Sequence, residues 1–161
     1  DSGGDIDVAV LEIDREALPK EAVLFAFTPA HIVHDFDAVP VDATLFIAGF
    51  PLGFHDEVHQ LPVLRRAAIA SPFGIRFQGQ GTFLTDGRAH RGISGAPVVM
   101  RDPVPATGVL PWRLLGVHSS RLDMGNRDQA LDESLGLNCA WYADILLTLT
   151  EPPAAGLASP A

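Results

Sequence analysis

Cysteine is almost missing from this chain: Cys139 stands alone among 161 residues. A single thiol excludes an intrachain disulfide, so no covalent staple holds the fold. That absence leaves the compartment open, because proteins on either side of a membrane manage without disulfides. Cys139 sits in the apolar stretch Leu137-Asn138-Cys139-Ala140-Trp141 and is expected to be a buried, inert thiol. Positive charge is also scarce. Eleven Lys and Arg face 20 Asp and Glu, a net charge of −9. Phosphate binding wants a basic face, so nucleic acid is not an expected partner, and the acidity reads as a contribution to solubility. No apolar run approaches the ~18 residues that cross a bilayer, and no membrane partner is expected. No leader pattern is visible, no segment repeats, and Asp1-Ser2-Gly3-Gly4-Asp5 reads as the middle of a longer chain.

What is there is a globular composition, 47% hydrophobic and 19% charged, long enough for one domain with a real core. Short runs rich in Val, Ile, Leu and Phe alternate with Gly and Pro turns, which predicts a mostly β fold. Strands are expected over Ile6–Ile13, Thr44–Phe50, Pro62–Ala70, Gly74–Gln78, Thr82–Asp86, Ala96–Met100, Trp112–Ser119 and Leu137–Tyr142. Ala22–Phe27 reads as a short strand or the packed end of a linker, and His31–Pro40 as irregular. Arg101–Pro111 and Arg121–Ser134 read as loops. Gly79-Gln80-Gly81 lacks the length and the lysine of a phosphate loop and reads as a hairpin turn. A short helix is expected over Ala143–Leu149, with Asp144 in its first turn. Glu151–Ala161, with three prolines, reads as a tail or linker.

The chemistry gathers at Gly92-Ile93-Ser94-Gly95-Ala96-Pro97. Glycines on both sides of a serine suit a tight turn whose amides converge. A serine there can attack a carbonyl, and the N–H groups of Gly92 and Ser94 can hold the resulting oxyanion. Upstream lies Leu84-Thr85-Asp86. Downstream lies Leu114-Leu115-Gly116-Val117-His118-Ser119. Near the start lies Asp5-Ile6-Asp7-Val8-Ala9-Val10-Leu11. In that order, from about Asp5 to about Leu147, these segments resemble the trypsin-like serine peptidases, above all the disulfide-poor bacterial branches that include HtrA-type enzymes and glutamyl endopeptidases.

The resemblance implies the following. Residues 1–20 would be the last strand of a first barrel and a linker, 21–149 the second barrel with its C-terminal helix, and 150–161 a tail. Ser94 would be the nucleophile, Gly92 part of the oxyanion hole, and Asp7 the carboxylate that orients a histidine; Asp5, two residues earlier, fits less well. The family order is His, Asp, Ser, and all six histidines here follow Asp7. The base would therefore come from an upstream segment, a further domain or another chain. Arg88-Ala89-His90-Arg91 and His118-Ser119-Ser120-Arg121 would wall the pocket for the side chain before the cut. His118, Arg88 and Ser119 there suggest an acidic side chain. The expected function is peptide-bond hydrolysis of a polypeptide substrate through an acyl-enzyme, without a cofactor. The alternative is an inactive protease fold that binds peptides. His55/His59 and His31/His34 have helical spacings that metal sites use. Asp56 stands where a zinc peptidase needs Glu, however, so no metal is expected.

Overall fold

The computed structural model describes residues 6–105, 110–122 and 136–151. Six strands form one antiparallel sheet: β1 (Thr44–Gly49), β2 (Val63–Ala68), β3 (Thr82–Thr85), β4 (Pro97–Arg101), β5 (Trp112–Arg121) and β6 (Asn138–Tyr142). Their spatial order is β2-β1-β4-β5-β6-β3. The sheet curls until its two edges approach. Ile69 bridges Thr85, and Ala70 N–H donates to Leu84 O at 2.9 Å. Asp86 fastens the same corner: its N–H donates to Ala68 O at 3.2 Å and its Oδ1 accepts from Ala68 N–H at 2.6 Å. Among the described residues one short α-helix, α1 (Ile145–Thr150), follows β6. Asp144 precedes the helix rather than sitting in its first turn, and its carboxylate makes no capping bond but lies 3.6 Å from the Arg76 guanidinium.

The core fills the inside of the curl. β1 alternates strictly, with Leu45 and Ile47 fully buried and Phe46 half-buried against the opposite side, which is the two-residue period of a strand. Phe83, Ile93, Val98 and Leu115 meet them from the neighbouring strands and the Gly92–Pro97 turn. Phe73, Phe83 and Tyr142 stack tilted or edge-on with centroids 5.0–5.1 Å apart, and the Tyr142 hydroxyl donates to Phe73 O. A second cluster on the other side packs Ile32, Val99, Leu114 and Ala143.

Three expectations are corrected. Ile6–Ile13 is not a strand: it runs as irregular chain into a 3-10 turn at Arg15–Ala17, with Leu11 89% exposed. Strand-forming residues fix a strand only where a neighbour takes their N–H and C=O groups, and among the described residues none lies beside this segment. Gly74–Gln78 is a bend leading to a 3-10 turn at Phe77–Gly79, with Gln78 at φ 52°. Gly79-Gln80-Gly81 consequently joins that turn to β3 and is no hairpin. Of the two readings of Ala22–Phe27 the strand is not formed, while Phe27 at its end packs against the Ile32, Val99, Leu114 and Ala143 cluster, and the irregular stretch that follows supplies buried Ile32, Val33 and Val39. Asp5, most of the Arg121–Ser134 loop and the tail beyond Glu151 lie outside the described residues.

Candidate functional site

The Ser94 turn is held from three directions. Ile93 is buried in the core, and Ala96 N–H closes the turn on Ile93 O at 3.0 Å. Gly95, at φ 85°, occupies the third place, which a type II turn reserves for glycine. From the next strand, Gly95 N–H donates to His118 O and His118 N–H to Ala96 O, both at 2.8 Å. Gly92 adopts φ 87°, and a Cβ on it would lie 2.9 Å from Phe50 O. The adjoining Phe50–Phe54 turn is tied in where Leu52 N–H donates to Arg91 O at 2.6 Å. Ser94 is left exposed at the apex. Among the described residues, the Gly92 and Ser94 N–H groups donate to no backbone carbonyl.

Beside the turn, β5 carries one residue too many. His118 pairs with Ala140 and Ser120 with Cys139, so two residues of β5 oppose one step of β6. A bulge of this kind re-aims the extra residue. Ser119 is that residue, and both of its polar groups point at the site. Its carbonyl accepts from Ser94 Oγ at 2.7 Å, and its own Oγ donates to Asp7 Oδ2 at 3.0 Å. Asp7 thus reaches the centre although its segment is not a strand. Asp7, Ser119 and Ser94 form one connected series, and they line a cavity of about 500 Å³ with His118, Phe27 and Leu146 among its other walls.

The histidines divide clearly. His118 is 2% exposed and its Nδ1 has no hydrogen-bond partner among the described residues. Burial pushes its imidazole below the ordinary 6.5, towards the neutral form. His31 is buried against Phe27, with Nδ1 2.9 Å from the N–H and from Oγ1 of Thr28. His55 and His59 are used locally, by Gly53 O at 2.6 Å and Asp56 Oδ2 at 2.9 Å. His34 is exposed and His90 half-buried. Among the described residues no histidine hydrogen-bonds Ser94, and no group of three or more His, Cys, Asp or Glu stands together as metal ligands. Cys139 is half-buried rather than buried; desolvation raises its thiol pKa, which keeps the protonated form.

Arg88 does not join the Ser94 cavity. It lines a separate cleft of about 240 Å³ with Asp86, Ala89, Arg121, Leu122 and Asn138. The residues expected to bind substrate therefore split between two hollows, His118 and Ser119 in one and Arg88 in the other. Arg121 is the residue that sequence reasoning left in the wall without a role. Its signal was its place two residues beyond Ser119, on the strand that crosses from one hollow to the other. Chemically, Ser94 is a hydroxyl whose proton faces a carbonyl, with a carboxylate one serine away. Among the described residues, no imidazole hydrogen-bonds either of them. No protein-family model matches this sequence, and no curated protein matches it.

Proposed function

We propose that this chain carries the nucleophile side of a trypsin-like serine peptidase centre. The observation that supports it is the series Asp7–Ser119–Ser94, which joins residues from three distant parts of the chain through bonds of 3.0 and 2.7 Å. An imidazole contributed by a further segment, domain or chain would sit between Asp7 and Ser94. One ring N–H would donate to the Asp7 carboxylate, and the other nitrogen would take the Ser94 proton. Ser94 Oγ then bonds to the scissile carbonyl carbon, and the oxyanion faces the Gly92 and Ser94 amides. The peptide C–N bond breaks, the imidazolium gives its proton to the leaving amine, and water hydrolyses the Ser94 ester. No cofactor enters this chemistry, and the substrate is a polypeptide.

A second reading, a binding module without catalysis, draws on one observation: the Ser94 hydroxyl is spent on Ser119 O, and among the described residues no histidine hydrogen-bonds it. The two separate on reaction with a fluorophosphonate, tried on the 161-residue chain and on any natural form of the protein that extends it. Labelling of the longer form at Ser94, absent in Ser94→Ala, supports the peptidase. Labelling that persists in Ser94→Ala removes Ser94 as nucleophile, and silence in both forms favours the binding module.

A further inference from the structure

We infer that the outer edge of β2 pairs with the same edge of a second copy of this chain, antiparallel and centred on Leu64. This surface lies outside the Ser94 cavity, and the inference stands whether or not the chain takes part in catalysis.

β2 ends the strand order, so β1 covers one of its sides and, among the described residues, no strand covers the other along Val63–Ala67. Ala68 shows which residues use the outer side. Its N–H and its C=O both turn away from β1, to Asp86 Oδ1 and Asp86 N–H. Alternate residues of a strand repeat the direction, so Leu64 and Arg66 also aim their N–H and C=O groups outwards. Ala68 is occupied and Pro62 has no N–H to give, which leaves Leu64 and Arg66 as the open positions. An open edge of this kind is a template for another strand. The hairpin that carries it is apolar on its surface, with Val58 82%, Leu61 56% and Leu64 56% exposed.

Charge selects the occupant and its register. Antiparallel self-pairing centred on Arg65 would set Arg65 against its own copy. Centred on Arg66, it would do the same to Arg66 and would need the occupied Ala68. Like charges directly opposite repel. Pairing centred on Leu64 avoids both. Leu64 then lies against Leu64 of the other copy, Arg65 against Val63, and Arg66 against Pro62. The two Leu64 residues exchange hydrogen bonds across the axis, and each Arg66 N–H donates to Pro62 O of the other copy. The antiparallel sense also carries the arginines of each copy towards the Asp56–Leu61 turn of the other, where Glu57 stands. Among the described residues Arg65, Arg66 and Glu57 enter no ion pair. The hairpin is cationic along β2 and acidic at its turn, and an antiparallel copy sets the two regions together.

Sedimentation equilibrium on the 161-residue chain tests the pairing. The contact is small, so a weak dimer is expected that grows in between about 10 and 500 µM. Leu64→Lys, at a position already exposed, sets two ammonium groups together on the axis and should leave a monomer across that range. Leu64→Cys and Arg66→Cys read the register under mild oxidation with copper phenanthroline. Cα atoms of an antiparallel hydrogen-bonded pair lie about 5.5 Å apart, within disulfide reach, whereas the two copies of Arg66 would lie about 14 Å apart. Leu64→Cys is expected to form a covalent dimer. Arg66→Cys and the unsubstituted chain, whose one thiol is Cys139, are expected to form none. A monomer at every concentration, a dimer unmoved by Leu64→Lys, or linking through Arg66→Cys as readily as through Leu64→Cys overturns the inference.

Discussion

Ser94 offers its proton to a carbonyl that cannot keep it. An amide oxygen is far too weak a base to generate an alkoxide, so the bond to Ser119 O orients the hydroxyl and does not activate it. Asp7 depends on Ser119 in turn. Ser119→Ala removes the Asp7 partner and keeps the carbonyl. In a form of the protein that labels with fluorophosphonate, this variant is expected to slow labelling about tenfold or more while leaving Ser94 reactive. An unchanged rate would make the Asp7–Ser119 bond incidental. His118 carries a second prediction. Its folded pKa lies below 6.5, so the unfolded chain takes up the proton first. The stability it contributes is complete above about pH 6.5 and declines as pH falls towards the lowered folded value. The urea midpoint is expected to drop between about pH 7 and pH 5 and to flatten in His118→Gln. Asp56 and Asp102, both held below 3.8 with backbone or side-chain donors, act only in more acid solution.

Among the elements, the β4-β5-β6 layer is the least tolerant. A Cβ on Gly116 would drive into Trp141 O and sit 3.1 Å or less from the Phe83 ring. Gly116→Ala is expected to cost at least about 1–3 kcal/mol in urea unfolding. A cost near zero would mean that the strands separate easily there. Strands were legible in the sequence because their signals are local: β1 alternates, with Leu45 and Ile47 buried, and β4 and β5 carry the continuous apolar runs of strands covered on both faces, as Leu114 and Leu115 are. Ile6, Val10, Leu11 and Ile13 have the same composition and form no strand, because composition names a willingness to pair and says nothing of a neighbour. Gly74–Gln78 failed for a different reason. Its Ile75 stays 65% exposed while the backbone turns at Gln78, a left-handed position that no residue type advertises apart from Gly or Asn. Within the site, Ser94 and Asp7 were readable as types. The bulge that aims Ser119 is a property of pairing between β5 and β6, and it leaves no mark on either strand alone.

At the scale of the whole molecule, two of the five strand pairs join strands that are distant in sequence. β1 lies against β4 and β3 against β6, so the chain must close long loops before either pair is rewarded. Refolding from urea is expected to take milliseconds or longer. Trp112 on β5 and Trp141 on β6 should report it in stopped-flow fluorescence. A microsecond phase carrying the whole amplitude would contradict the sheet order. The same topology explains how Asp7 and Ser119, 112 residues apart, become partners only when the curl is complete.

The extra residue in β5 turns the site into a matter of arithmetic. Remove one residue between His118 and Arg121, and β5 can pair with β6 step for step, with every ladder bond kept and no side chain of the core displaced upstream. The carbonyl that accepts the Ser94 hydrogen bond and the hydroxyl that meets Asp7 would lose their places, while Arg121 keeps Asn138 as its partner. A change of one codon would undo the Asp7–Ser119–Ser94 arrangement and leave the rest of the sheet's pairing as it stands.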